Sequence, residues 1–504
     1  MLYHEPIFLW AFLPIFLCLH YFLAKHHPSG TLLFICVGSL IFYTWTEPTD
    51  LILLLWVTVL MLGGASLLQA RRSAALMVAL VLLILAPLIV YKYLNFAASA
   101  VGADSVTGLP QLPIGLSFYT FQALAYLGAA YVGRLPTRSW LEGLAFLAFF
   151  PQLIAGPIVL PSELLPQLRR LRFQAQPITA NISVGSAIFV IGFAKMSLIA
   201  EPASLVADFG FSQASSGVIP DALTAWVSSI AYTVQIYFDF SAYSDMAVGI
   251  ARLMGIRLPV NFWSPYQAGS LIEFWRRWHI TLGRFLAMAL YRPIGGNRRG
   301  FLRQAAAIFL TMTVGGLWHG AGYTFLVWGA LHGIGLIIAH SLRRHNVQFP
   351  RLLGWGCTLG FVLLAWVPFR SPDFVSTLAM WKGLAFLGPF ALPNSLSGLV
   401  PGQFHSYVVF DGTYVYALLA AAGVHGIAAV FIGAVISIFF PNVYQTFYLW
   451  RPALNTQVFI ARYGSFFADT WVRPGLLTGL AIGTMFIIGV AFGGAPKAFL
   501  YFQF

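Results

Sequence analysis

The sequence predicts an all-α polytopic membrane protein, with about 11–12 transmembrane helices and further re-entrant and interfacial helices. Hydrophobic residues make up 59% of the 504 positions, where soluble domains hold about 45–50%. Charged residues make up 9% against about 25% in an ordinary soluble chain, too few to cover a surface facing water. Mean hydropathy is +0.81. The apolar runs are also unbroken for longer than the alternating segments of about 10 residues that build membrane barrels. Disorder, which needs low hydrophobicity, is excluded.

Cys18, Cys36 and Cys357 are the only cysteines. They lie far apart in apolar stretches with no C-x-x-C pair, so neither a zinc site nor a disulfide framework is indicated, and no metal is expected. The net charge of +13 is assigned to cytoplasmic loops, not to a nucleic-acid partner.

From the N-terminus, residues 1–27 have no basic leader and no small-residue cleavage site, and read as a retained first helix. Further apolar runs occupy about 31–46, 51–69, 74–94, 111–132, 183–199, 223–250, 303–318, 322–341, 352–369, 413–439 and 475–493. Basic connections sit near Lys25, Arg71 and Arg72, Arg134 and Arg138, Arg169 to Arg172, Arg252 to Arg303, Arg343 and Arg344, and Arg451 to Arg473. Acid-bearing connections hold Glu47, Asp50, Asp104, Glu201, Asp208, Asp221, Asp373 and Asp411. With the basic set in the cytoplasm the helices alternate and the N-terminus lies outside.

Two stretches break the alternation. The run 141–160 has basic clusters on both sides and carries Pro151, Gly156 and Pro157, so a re-entrant segment is expected there. The runs 303–318 and 322–341 lie between two basic clusters and should form a hairpin or broken pair turning at Trp318, His319 and Gly320. No internal repeat of broken segments is present, which disfavours a transporter built from inverted repeats.

Ionisable groups inside apolar segments are costly and mark candidate sites. His20, His340 and His425 lack polar company and are read as packed or bonded to backbone. His319 is surrounded by Gly315, Gly316, Gly320 and Gly322, with Trp318 as an apolar wall. A partly desolvated, neutral imidazole there suits a general base acting on a hydroxyl. His332 lies thirteen residues on, between a packing role and a supporting one.

His279 belongs to 271–286, read as an amphipathic interfacial helix. Arg276 would be its neighbour three positions away on one face. With Arg277 and Trp278 this makes a cationic pocket suited to a phosphate-bearing acyl donor. Asp239 and Asp245 stand six apart on one helix, about 240° around it, so a paired-carboxylate catalyst is disfavoured. Their expected role is to anchor the arginines of the following segment.

Seven stretches taken together resemble the membrane-bound O-acyltransferase family, in particular its bacterial branch. They are LPIGLSFYTFQALAYL (112–127), FFPQLIAGPI (149–158), QIYFDFSAYSDMAVGI (235–250), NFWSPYQAGSLIEFWRRWHITL (261–282), IGGNR (294–298), GGLWHGAGYTFLVWGALHG (315–333) and WVPFRSPDF (366–374). The resemblance implies one integral-membrane domain over 1–504, divided into N-terminal helices (1–110), a catalytic core (111–374) and C-terminal helices (375–504). It also implies a tunnel that admits acyl donor from the cytoplasm and acceptor from outside. His319 would be the catalytic histidine and His279 the second position of the family's pair.

The implied reaction moves acetyl from acetyl-CoA, or another acyl from a thioester, to hydroxyls of an exported or cell-surface polysaccharide. An extracytoplasmic partner of the SGNH type and residence in a bacterial cytoplasmic membrane are implied with it. D-alanyl transfer to a cell-wall polymer, or a proton-coupled transporter or flippase, stands as the alternative. Two stretches depart from the family pattern: RFLAMALYRP (284–293) and Gly128 to Tyr131 lack the carboxylates that relatives carry there.

Overall fold

The computed structural model describes the chain outside residues 105, 107–111, 136–138, 172–177, 299, 389, 393, 402–407, 411–412, 465–474 and 493–504. Arg138, Arg172, Asp411 and Arg473, used above to sort the spans, lie outside the described residues. The described residues are mainly helical. The strands among the described residues are Phe390–Leu392 and Val408–Phe410, paired in parallel. Eight helices among the described residues are long and apolar enough to cross a membrane, and Pro28–Thr44 and Leu476–Phe492 are shorter apolar helices. Leu116–Tyr131 and Ala222–Leu253, also expected from their apolar runs, form helices outside that set.

The helices belong to two compact units. The first contains Met1–Phe193, Tyr243–Asn261 and Asn442–Phe486. Within it, the expected interruption at 141–160 is present. Helix Trp140–Ala148 stops where Phe149 turns to ψ 103°, and Phe150–Leu153 makes a single further turn before the backbone leaves helical geometry. Nine residues rise only about 13 Å, too little to span a hydrocarbon core.

Irregular backbone within a membrane needs partners, and the surrounding residues provide them. The Tyr3 hydroxyl donates to the Phe150 carbonyl at 2.9 Å, and the Phe150 N–H donates to Ser39 at 3.2 Å. The Gln152 amide donates to Phe146 O at 2.6 Å and to Gln122 at 3.2 Å. Arg169 meets Glu142 at 2.8 Å. His20 has the backbone partner expected of it, Met254 O at 3.3 Å from Nε2.

The second unit contains Ala194–Ala242, Phe262–Pro441 and Ile487–Phe504. The apolar run at 183–199 does not end at Glu201. Helix Ile178–Lys195 passes through a π-turn at Met196–Ala200 into Glu201–Ser215, a continuous candidate span of 38 residues. Asp208, expected in a loop, is therefore on a helix. It accepts a hydrogen bond from Arg370 at 2.6 Å, and the guanidinium lies 5.9 Å from the Phe211 and Tyr232 rings.

The hairpin expected around residue 319 is formed by helices Phe301–His319 and Tyr323–Arg344, joined by Gly320–Gly322. Their backbones approach closely because glycines face each other. A Cβ on Gly316 would lie 2.3 Å from the Phe325 carbonyl oxygen, and one on Gly329 would lie 2.5 Å from that of Met312. Backbone cannot yield to such a group, so side-chain-free positions set this helix pair's separation.

Candidate active site

All the histidines singled out for chemistry lie in the second unit. His319 is the last residue of its helix, after which Gly320 is extended at φ −158°. Its ring lies 4.9 Å from Trp318, 5.1 Å from Trp328 and 5.2 Å from Phe369. Each of these rings meets the imidazole edge-on or nearly so, a favoured geometry for aromatic pairs. His319 retains 5% of its surface, whereas His279 and His332 retain 0%. All three are buried, His319 the least completely.

The segment bearing His279 differs from its expected form. In place of one amphipathic helix over 271–286 there are two short helices, Leu271–Arg277 and Ile280–Leu286. Trp278 between them is extended, and His279 adopts the left-handed conformation at φ 42°, ψ 52°, which histidine enters more readily than most residues. The cause of the break is tertiary. The Arg277 carbonyl, which a continuous helix would pair with the N–H of residue 281, accepts instead from the Trp263 N–H at 2.9 Å. The first helix starts cleanly because Ser270 accepts from the Glu273 N–H at 3.2 Å.

This break corrects the pocket read from helical spacing. Arg276 and His279 are not neighbours on a helix face: Arg276 is exposed and His279 is enclosed. Arg277 is buried, and its guanidinium pairs with Glu273 one turn earlier. Trp278 faces inward, stacked on Phe274 at 5.6 Å and lying 5.0 Å from Trp366 and 5.1 Å from Phe262. Asp239 and Asp245 are both buried on helix Ala222–Leu253, at 6% and 2% exposure. Asp239 belongs to the second unit and Asp245 to the first.

What the fold brings together is two imidazoles on one indole. The His279 ring lies 6.4 Å from Trp318, whose ring is also the one 4.9 Å from His319. Phe240 at 4.6 Å and Phe262 at 6.2 Å complete the apolar surroundings of His279. Burial pushes the His279 imidazole well below its usual range, because the charged form would lose its hydration. His332 accepts a hydrogen bond at Nδ1 from the Trp275 indole N–H at 3.2 Å.

Trp275, Trp328, Trp366 and Phe369 were not singled out by the sequence reading. Trp328 precedes His332 by four positions, the spacing of helix neighbours, and that signal was available. Phe369 and Trp366 come from helix Arg351–Arg370, and their approach to residues 319 and 278 is set by helix packing alone. Among the described residues no group of three or more His, Cys, Asp or Glu side chains is placed to hold a metal ion.

The segments that build this aromatic cluster lie within the part of the chain that matches a known family. A profile of the membrane-bound O-acyltransferase family matches residues 39–370. The chain belongs to the membrane-bound O-acyltransferase family. Members are integral membrane enzymes that transfer an acyl group from a donor to a hydroxyl, and the apolar helices here agree with that setting.

Among its relatives is a peptidoglycan O-acetyltransferase of Helicobacter pylori, 36% identical over 432 residues, 78% of this chain and 81% of the relative. A probable alginate O-acetylase AlgI of Pseudomonas putida is 37% identical over 410 residues, 78% of this chain and 82% of the relative. A teichoic acid D-alanyltransferase of Streptococcus thermophilus is 27% identical over 242 residues, 45% of this chain and 56% of the relative.

Proposed function

We propose that this membrane O-acyltransferase moves acetyl from a cytoplasmic thioester, acetyl-CoA, to hydroxyls of an exported or cell-surface polysaccharide. The acetyl group and the sugar acceptor follow the O-acetyltransferase relatives, which are similar over most of the chain. The D-alanyl relative is less similar and covers under half of it. The residence proposed is the bacterial cytoplasmic membrane, with the N-terminus outside, as the basic connections favour. An extracytoplasmic partner of the SGNH type is proposed to receive the acetyl group or complete its delivery.

His319 is the proposed general base. Its imidazole takes the proton of the acceptor hydroxyl as the oxygen attacks the thioester carbonyl carbon. The tetrahedral intermediate collapses by breaking the carbon–sulfur bond. The proton held on His319 returns to the departing thiolate, leaving an ester, a free thiol and a neutral histidine. His279, 6.4 Å from the Trp318 ring, is proposed to serve the donor side as a neutral hydrogen-bonding group. Arg276, exposed near this turn, is the cation proposed to meet donor phosphate. Arg277, Trp278, Asp239 and His332 are proposed to support the site from within the second unit.

The observation that carries this reading is His319 held by three aromatic rings at a helix end, beside the glycine turn Gly320–Gly322. His319→Ala should abolish acetylation of the surface polysaccharide while the protein reaches its normal level in the membrane. Acetyl content at the native level in that variant would overturn the assignment. Alanyl esters in place of acetyl on the polymer of the unaltered strain would move the donor to the D-alanyl class.

A further inference from the structure

We infer that Trp275 and His332 act as one positioning pair that sets the His279 turn in register with His319. The inference rests on His319 and His279 being the working groups, and adds what holds them in place.

Trp275 stands on the short helix Leu271–Arg277, two residues before its end and four before His279. His332 stands in the middle of helix Tyr323–Arg344, which follows His319 across the Gly320–Gly322 turn. The Trp275 N–H donates to His332 Nδ1 at 3.2 Å, with the two rings perpendicular and 5.2 Å apart. A seven-residue helix has little stability of its own, so its rotation is set by what its side chains grip. Phe274 and Trp278 stack with Tyr266, and Phe274 also stacks on His332 at 6.3 Å. To these contacts the hydrogen bond adds a directional tie to the His332 helix.

The bond also defines the state of His332. An Nδ1 that accepts carries a lone pair, so the ring is neutral with its hydrogen on Nε2. A cationic ring would set one N–H against another. His332 is fully enclosed, and its Nε2 has no hydrogen-bond partner among the described residues. A buried imidazole with one nitrogen unpaired is costly to maintain for packing alone, since an apolar residue of similar volume would avoid that cost. The nitrogen that is used is the one facing Trp275.

From His332 the contacts run on to the base. Trp328 lies 4.8 Å from the His332 ring and 5.1 Å from the His319 ring. Trp275 touches the same indole at 5.9 Å. The pair thus holds both the helix leading into His279 and the indole that backs His319. It touches neither donor nor acceptor, and its effect is on geometry.

The test is a double-mutant cycle in inverted membrane vesicles that carry the full-length protein in its native host. Labelled acetyl-CoA is added outside as the donor, and the host's own surface polysaccharide, stripped of acetyl by mild alkali, is enclosed in the vesicle lumen as the acceptor. Trp275→Phe keeps a ring and removes the donor; His332→Leu removes the acceptor. Each should lower kcat about tenfold and leave KM within about twofold, and the double variant should lose no more than either single one. His332→Asn places an oxygen near the position of Nδ1 and should recover most of the rate.

Thermal unfolding in detergent is measured alongside, so that a variant that fails to fold is recognised and the His332→Asn comparison decides. Losses that add, a loss confined to KM, or an Asn variant no better than Leu would overturn the pair. His319→Ala in the same vesicles tests the underlying reading separately: activity there overturns the base assignment, whereas an inactive His319→Ala with an additive cycle overturns the pair alone.

Discussion

Glu273 and Arg277 form an ion pair one turn apart on the short helix that ends beside His279. Arg277 is the more deeply placed, with 10% of its side chain exposed against 30% for Glu273. Its charge is therefore met from within the helix, leaving exposed Arg276 as the cation of this segment that faces outward.

Removing the carboxylate takes from a buried guanidinium its ion-pair partner on the same helix. Glu273→Gln is expected to destabilise the protein by about 2 kcal/mol, less than a fully enclosed pair because Glu273 is part exposed. Glu273→Gln combined with Arg277→Met should recover much of that loss. Thermal unfolding in one detergent measures both. A Glu273→Gln variant that melts with the native protein would show that the pair is inconsequential.

Trp318 is the surface on which both His279 and His319 rest. Trp318→Phe keeps an aromatic face and should reduce acetyl transfer about tenfold. Trp318→Ala, which removes the wall from both imidazoles, should reduce it about a hundredfold. Acetylation assayed at matched protein level decides between them, and near-native activity in the alanine variant would contradict a shared platform.

The glycines between helices Phe301–His319 and Tyr323–Arg344 make an unequal comparison with a glycine in open space. Gly329→Ala forces a methyl group onto the Met312 carbonyl oxygen at 2.5 Å and should cost about 1–3 kcal/mol. Gly356→Ala meets nothing within 4 Å and lies in helix Arg351–Arg370, so it should be neutral or stabilising. Equal melting temperatures for the two variants would refute close packing at Gly329.

The lowered pKa of His279 carries a stability signature. An unfolded imidazole takes up a proton below its ordinary value of 6.5, which the buried ring refuses. The unfolded state then binds more protons, so stability falls as pH drops below 6.5, by up to about 1.4 kcal/mol per pH unit. His279→Asn lacks this proton and should lose less stability than the native protein between pH 7.5 and pH 5. Parallel losses in the two proteins would mean that His279 titrates normally.

Much of the architecture was legible in the chain because its cause is local. Long apolar runs become helices wherever water is absent, and Gly320 to Gly322 break the run next to His319. The break within 141–160 could be expected from its prolines and glycine, although the structure places its first step at Phe149. The helix continuing through Glu201 was not legible, since an acidic residue there reads as a loop while the backbone stays helical.

The composition of this chain determines that it lies in a membrane, and its ordered motifs determine the family and carry the proposal of His319 as base. Both follow from residue type and order, which need no knowledge of what packs where. The tertiary structure decided that His279 leaves helical geometry, because Trp263 takes the Arg277 carbonyl from another part of the chain. It also decided that Arg276 and Arg277 have different surroundings, and that Trp275 meets His332 fifty-seven positions away. Partnerships across such separations depend on the packing of whole helices, and helical periodicity within one segment carries no record of them.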